Sequence, residues 1–339
     1  MATPTRIFLT GASGYIGGDV LHALREAHPE YVMSVLVRDE AKAGIIAAAY
    51  PDVRTVLGDL DSAPLIEEQA SQADVVIHAA SSSHINSVEA IARGLSRRDM
   101  SSPATWIQVS GASVLSISDI FNGRYGEGTT QVFSDLDGAD AVRDIIRENA
   151  RRRVVDNFIL NLAGPQTALI FPPIIYGPGR GVVKQRSVQI PELARVAIET
   201  GTAVQVGEGQ STWSNVHITD VSDVFVKLVE KAGQDKADGL WNKDGVYFVG
   251  NASLSFGEIS QKIAAAAQSL GLVNSPTVKH LAPEEANNLS SHAAVLWGTN
   301  ARQDSQRARQ LLGWQPKGRS LEEEIPRTVG DEGKRLDRL

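Results

Sequence analysis

Short apolar runs alternate with stretches of helical periodicity through the first half of the chain. Ile7–Thr10 is an apolar run that enters a glycine cluster, after which Val20, Leu21 and Leu24 recur at helical spacing. The β-branched run Tyr31–Val37 follows, then "VRTVLGD", a polar helical stretch, "ADVVIHAA", a helical pattern over Ile85–Leu95, and "TWIQVS". Strand runs separated by helical patterns predict βαβ units, hence a parallel sheet with helices on both faces. The unbroken apolar character of Val75–Ile77 agrees, because a strand covered on both faces has no solvent side to make polar.

From Ser116 to Ala139 the pattern lapses into Gly- and Asp-rich sequence, expected to be a surface excursion or a lid. "IIRENARRRVVDNFIL" (Ile145–Leu160) then reads as one helix, and "TALIFPP" (Thr167–Pro173) as the next strand. Beyond "IIYGPGRG" the strict alternation ends. Helical patterns at Pro191–Glu199, Val221–Lys231, Phe256–Leu270 and Gln303–Leu312 predict a smaller C-terminal lobe.

Composition narrows the classes of function. A chain of 339 residues exceeds the usual single-domain size, and 42% hydrophobic with 22% charged residues is ordinary globular composition. A net charge of −7 argues against nucleic acid as a partner, whose binding rests on neutralising phosphates. Cysteine is absent, which excludes disulfides, thiolate zinc sites and cysteine nucleophiles. The seven histidines are scattered without an H-x-x-x-H pair, so no metal is expected. The N-terminus lacks a signal-peptide pattern and no apolar run reaches membrane-spanning length, so the expectation is a cytoplasmic protein without a membrane partner.

The glycine cluster carries the first chemistry. Thr10-Gly11-Ala12-Ser13-Gly14-Tyr15-Ile16-Gly17 spaces its glycines G-x-x-G-x-x-G between a strand and a helix. Gly11 permits the tight turn, Gly14 lets backbone approach a pyrophosphate, and Gly17 lets the helix pack closely. The amides and dipole at the helix start favour phosphate, so Gly11, Ser13, Gly14, Tyr15, Ile16 and Gly17 are candidate dinucleotide contacts. At the end of the second strand, "VLVRD" places Arg38 21 positions past Gly17. An arginine there suits the 2′-phosphate of NADP(H), with Lys42 one turn later adding charge. Asp39 keeps NAD(H) open as the alternative, since an acidic residue at this strand end serves the free ribose hydroxyl.

With these pieces placed, the chain resembles the extended short-chain dehydrogenase/reductase family, near its dihydroflavonol-reductase-like and epimerase/dehydratase-like branches. "FLTGASGYIG", "VLVRDE", "GDLDS", "VVIHAAS", "IQVSGASV", "PPIIYGPGRG", "NVHITDVSDVF" and "ARQLLGWQPKGRSLEEEI" match its landmarks in order over nearly the full length. The resemblance implies an α/β fold: a doubly wound parallel sheet (Rossmann) with a smaller, mostly helical substrate lobe. Residues 1–172 would form the dinucleotide-binding domain, with 214–230 and 245–252 returning to it. Residues 173–213 and 253–330 would form the substrate lobe, and 331–339 a frayed tail. The resemblance also implies that Asp59 and Leu60 frame the adenine and that Ala79, Ala80 and Ser81 run under the ribose. Pro172, Pro173 and Ile174 would border the nicotinamide, with His217, Asp220 and Tyr176 architectural.

The family's chemistry uses a serine after the fifth strand, matched here by Ser110 or Ser113, and a Y-x-x-x-K pair on the next helix. No Y-x-x-x-K occurs in this chain. Counted back from Asp156, the two positions fall on Glu148 and Arg152. On a continuous helix Glu148, Arg152, Val155 and Ile159 share a face, so Glu148 and Arg152 point towards the cofactor while Arg151 and Arg153 lie in water. Glu148 would then stand in for the proton donor, or merely pair with Arg152. Tyr125 and His84 are further candidates, and Arg180, Lys184 and Arg186 suggest an anionic substrate or extra phosphate contacts. Three readings follow: an NADP(H)-dependent reductase of a small carbonyl or imine compound with a non-standard proton donor, a redox-neutral epimerase, dehydratase or isomerase, or a cofactor-binding sensor. A monomer or homodimer is expected.

Overall fold

A computed structural model describes residues 4–98, 104–233 and 239–339. Its centre is a seven-stranded, all-parallel sheet of β1 (Arg6–Thr10), β2 (Val32–Val37), β3 (Arg54–Leu57), β4 (Val75–His78), β5 (Thr105–Val109), β7 (Gln166–Phe171) and β11 (Val246–Phe248). The spatial order is β11-β7-β5-β4-β1-β2-β3. Strand order therefore reverses between β1 and β4, which opens a crevice beyond their carboxyl ends, where doubly wound sheets bind ligands.

Alternate residues of these strands enter two separate cores. Ile7 and Leu9 pack on one face with Val20, Leu21 and Leu24 of α1 (Tyr15–Ala27) and with Val224, Phe225 and Leu228 of α9 (Ile218–Lys231). Phe8, Val76 and Trp106 pack on the other with α3 (Ala63–Gln72) and α4 (Ile85–Leu95). Burying side chains of this size stabilises by about 1.5–3 kcal/mol each, so the two-sided cover accounts for the unbroken apolar runs. Pro29 stops α1, because the residue before a proline is driven out of helical backbone, and His28 is non-helical accordingly (φ −136°, ψ 70°). The helix α2 (Glu40–Ala49) begins on Asp39, whose carboxylate accepts from the Lys42 amide at 2.9 Å.

The helix expected over Ile145–Leu160 is broken. It consists of α6 (Ala139–Glu148) and α7 (Val154–Leu160), with residues 149–153 in a turn. Asn149 ends the first helix, its side-chain amide donating to the Ile145 carbonyl at 2.9 Å. The Gly- and Asp-rich excursion holds α5 (Ile117–Asn122) and β6 (Phe133–Ser134), which pairs with β14 (Gln303–Asp304). Its backbone is tied to residues 298–307, for example by the Gly126 amide on the Gly298 carbonyl (2.7 Å). The single helix expected over Gln303–Leu312 is accordingly replaced by β14 and the short α13 (Gln306–Leu311).

The smaller lobe packs α8 (Gln189–Thr200) and α10 (Phe256–Ser269) against β9 (Ala203–Val206), itself paired with β13 (Val278–Leu281), and lays α14 (Leu321–Arg335) on α8 and α10. Two short helices, α11 (Pro283–Leu289) and α12 (Ala293–Gly298), complete it. Between the lobes β10 (Thr212–His217) pairs with β8 (Ile174–Tyr176) and β12 (Ala252–Ser255), so residues 214–217 belong to this small sheet and not to the central one. The tail expected to fray over 331–339 is helical as far as Arg335. Glu332 and Gly333 are buried there and Glu332 pairs with Arg186, so packing overrides the terminal charge density. Among the described residues no helix is long and apolar enough to cross a membrane.

Candidate functional site

The crevice at the strand reversal is a cleft of about 650 Å³. Its floor is the glycine turn after β1 and the residues after β4: Gly11, Ser13, Gly14, Ala79 and Ala80 all line it. Gly11 has φ +87°, and a Cβ there would lie 2.6 Å from the Ala79 carbonyl carbon, so any side chain would push the turn off β4. A Cβ on Gly17 would strike the Gly11 carbonyl, which explains the third glycine as the place where α1 meets the turn. Gly14 caps α1, its amide bonded to the Gly11 carbonyl at 2.8 Å. Beneath the turn, His78 bridges to the Thr10 hydroxyl at 2.7 Å. Complete burial, with His84 nearby, pushes its pKa down to about 3, so it is a neutral hydrogen-bonding strut.

The walls supply charge. Arg38, Lys42 and Lys184 all line it, and among the described residues none of these three side chains has a hydrogen-bond or ion-pair partner. Asp59, Leu60 and Asp61 line the same cleft, and the Asp59 carboxylate accepts from the Ser62 hydroxyl at 2.8 Å. A turn without room for a Cβ, at a helix start and beneath free cations, fits a phosphate-bearing dinucleotide. Asp39 is occupied as the cap of α2. Ser81 does not line the cleft; its hydroxyl accepts from the Ser83 and His84 amides and caps the loop instead. His84 lines the cleft too, where it caps α4 and contacts Asp61 at 3.2 Å.

Past Ala79 the cleft continues into a second hollow of about 280 Å³, walled by Tyr15, Ile16, Pro173, Ile175, Ser187, Val188 and Gln189. Ile174, expected here, is fully buried in the core; strand alternation along β8 presents Ile175 in its place. Pro172 is buried too, its carbonyl accepting from the Ala112 amide at 3.2 Å. The Tyr15 hydroxyl donates to the Gly177 carbonyl at 2.6 Å, and burial holds its pKa well above the usual tyrosine value. Tyr176 bonds the Arg319 carbonyl, and His217 caps α9. The backbone at Tyr125 is fastened to the small lobe, with the next amide, that of Gly126, bonded to Gly298.

The break in the arginine-rich helix rearranges the expected catalytic positions. Glu148 and Arg152 are both exposed, and Arg152 lies over the Phe121 ring, 4.3 Å from its centroid. Neither points into the site, because the turn at 149–153 removes the continuous face that would have aligned them. Arg153, expected in water, turns inward: its Nη2 donates to Ser110 Oγ at 2.7 Å and its Nε to Asp156 at 2.6 Å. Asp156 is buried, and its second carboxylate oxygen has no partner. Burial pushes its carboxyl up, and the Arg153 charge draws it partly back. Ser110 sits at the end of β5, its amide on the Ile170 carbonyl, while Ser113 lies in the following turn of 3₁₀ helix without a side-chain partner among the described residues. Arg153 and Asp156 were readable only as an R-x-x-D pair one turn apart, a signal that many surface helices share.

Comparison with known proteins supports the fold. The NmrA-like family model matches residues 3–97. A protein of Acremonium sp. named "Oxidase ucsJ" is 39% identical over 98% of both chains. An uncharacterised protein of Saccharomyces cerevisiae, YLL056C, is 23% identical over 94% of this chain and 97% of its own. Among solved structures, UDP-glucuronic acid 4-epimerase from Bacillus cereus, in complex with UDP-glucuronic acid and NAD, superposes with a TM-score of 0.64 at 17% identity, over 98% of this chain and 100% of that one. The dTDP-glucose 4,6-dehydratase DesIV of Streptomyces venezuelae, with NAD and TYD bound, gives 0.64 at 17% identity, over 98% and 97%.

Proposed function

The chain belongs to the extended short-chain dehydrogenase/reductase family, and from that premise we propose that it is an NADP(H)-dependent oxidoreductase acting on a carbonyl or imine group of a small organic molecule. The observation that carries this reading is the pairing pattern at the end of β2. Arg38 and Lys42 stand unpartnered in the cleft while Asp39, the residue that would favour NAD(H), caps α2. The 2′-phosphate would lie against Arg38 and Lys42, and the pyrophosphate against the turn from Gly11 to Gly14. A bound reduced nicotinamide supplies a hydride at its C4.

The chain's own residues then have defined tasks. Ser110 Oγ accepts from Arg153, and its own O–H, which otherwise turns to the Asp156 carboxylate, is the donor for the substrate oxygen or nitrogen. The guanidinium behind it stabilises negative charge developing on that atom, and Asp156 keeps the guanidinium in place. Arginine does not release a proton in proteins, so this arrangement polarises without protonating. The proton that completes a reduction therefore comes from solvent or from the substrate itself. The relative named an oxidase favours a second reading, the same exchange run towards oxidation, for which the Ser110–Arg153 pair would stabilise the alkoxide from which hydride departs.

The test is consumption of reduced nicotinamide with a panel of small ketones, aldehydes and imines, and its formation with the matching alcohols and amines. Arg38→Ala is expected to weaken NADPH by about tenfold or more relative to NADH, the loss of one charge-assisted bidentate contact. Equal losses for the two dinucleotides would refute the NADP(H) assignment. Turnover with no net change in nicotinamide would point to a redox-neutral reaction instead.

A further inference from the structure

Three cations leave β8 on one loop, and they have different fates. Residues 177–187 form a strap that crosses from the small sheet onto α1. Arg180 bonds the fully buried Asp19 through its backbone amide (2.7 Å), Nε (3.1 Å) and Nη2 (2.8 Å), and Ser222 adds a fourth bond at 2.5 Å. Arg186 is held by the buried Glu332 and by Glu192. At Gly181 the strap touches the helix backbone to backbone, for a Cβ there would lie 2.7 Å from the Gly18 Cα. Between these anchors Lys184 is exposed, unpartnered among the described residues, and lines the same cleft as Arg38 and Lys42.

We propose that Lys184 clamps the pyrophosphate of the bound dinucleotide, reaching it from the strap. The strap touches α1 in its first turn, at Tyr15 and Gly18, next to the glycine turn. That places Lys184 beside the phosphates common to both dinucleotides. The anchors on each side hold the segment in register, so its one uncommitted charge is presented to the cleft. Asp59 and Asp61, which also line the cleft, are occupied by Ser62 and His84 and leave the cationic side free to meet phosphate. The strap runs on into Ser187, Val188 and Gln189, which wall the second hollow. A dinucleotide gripped by Lys184 therefore steadies the wall of the pocket where the substrate reacts, which favours cofactor binding before substrate.

This clamp rests on the dinucleotide reading, and titration of the full-length protein with NADPH and NADH, followed by nicotinamide fluorescence, separates the two. Lys184→Met is expected to weaken both dinucleotides by the same factor, about fivefold to tenfold for one partly exposed charged hydrogen bond. Lys184→Arg is expected to restore most of the loss. Arg38→Ala, by contrast, weakens NADPH alone. If Lys184→Met weakened only NADPH, the lysine would serve the 2′-phosphate and the pyrophosphate assignment would fall. If Lys184→Met changed neither dinucleotide while Arg38→Ala still discriminated, the clamp would be overturned with the cofactor reading intact. Binding of neither dinucleotide by the parent protein would remove both.

Discussion

Arg152 rests on the exposed Phe121 ring, whereas its neighbour Arg153 turns inward onto Ser110 and Asp156. Their fates depend on a helix break that no proline or glycine announces. Asn149 is the weakest helix former in "RENARRR", and its side chain takes over the Ile145 carbonyl at the end of α6. Helical phase arithmetic carried from Glu148 to Ile159 thus fails by one residue, enough to exchange the buried arginine for the exposed one. The glycine turn was more legible, because Gly11 and Gly17 act through local backbone, and strand-end position alone brings Arg38 to the cleft. The consequence for catalysis is specific. Arg153→Met should lower kcat by about a hundredfold, the loss of one charged contact to Ser110, the proposed substrate donor, with dinucleotide affinity unchanged. Glu148→Gln and Arg152→Met should stay within about twofold of the parent, as expected of exposed side chains. Steady-state rates with any active carbonyl compound decide it, and a loss confined to Glu148→Gln would restore the position counted from Asp156.

At the scale of elements, the strap shows why charge in a loop is a poor guide by itself. Arg180, Lys184 and Arg186 look alike in sequence, yet two of them neutralise carboxylates on distant helices, and those partners lie 161 and 146 positions away. No local pattern encodes such pairings. Burial alone would push the Asp19 carboxyl up, but the bonds from Arg180 and Ser222 outweigh it and hold its pKa below the usual carboxylate value. A depressed carboxylate contributes stability that is present above its unfolded pKa and is lost as pH falls through the folded one. Arg180→Met strands that charge, so it should cost about 2–4 kcal/mol near neutral pH, less than a fully enclosed pair because Arg180 is partly exposed. The deficit should shrink towards pH 4, where Asp19 can take up a proton. Urea unfolding at both pH values measures it, and a deficit that grew on acidification would contradict the pairing.

At the scale of the whole molecule, the layered α/β arrangement was legible because β1, β2, β4, β5 and β7 each carry an apolar signature, while the seams between lobes were not. The excursion between β5 and α6 is closed down by buried carboxylates. Asp119 accepts from the Asn300 backbone and side-chain amides (2.9 Å each), and Asp135 accepts from the Phe248 and Arg307 amides (2.8 and 2.9 Å). Asp135 thereby joins three parts of the fold, the excursion, the edge strand β11 and α13. Burial pushes its carboxyl up to about 6, with the two amides and Arg307 opposing. The folded protein then holds a proton that the unfolded chain, with an aspartate of ordinary pKa near 4, has already released. Stability from this site is therefore fully present below about pH 4 and is lost as pH rises through about 6, on the order of 3 kcal/mol across the window. Asp135→Asn keeps an acceptor for one amide and cannot ionise, so it should be less stable than the parent at every pH but by a smaller margin at pH 7 than at pH 4. Paired denaturation curves at the two pH values give the sign directly. A margin that widened with rising pH would mean that the amides and Arg307 outweigh burial and that Asp135 is ionised in the fold.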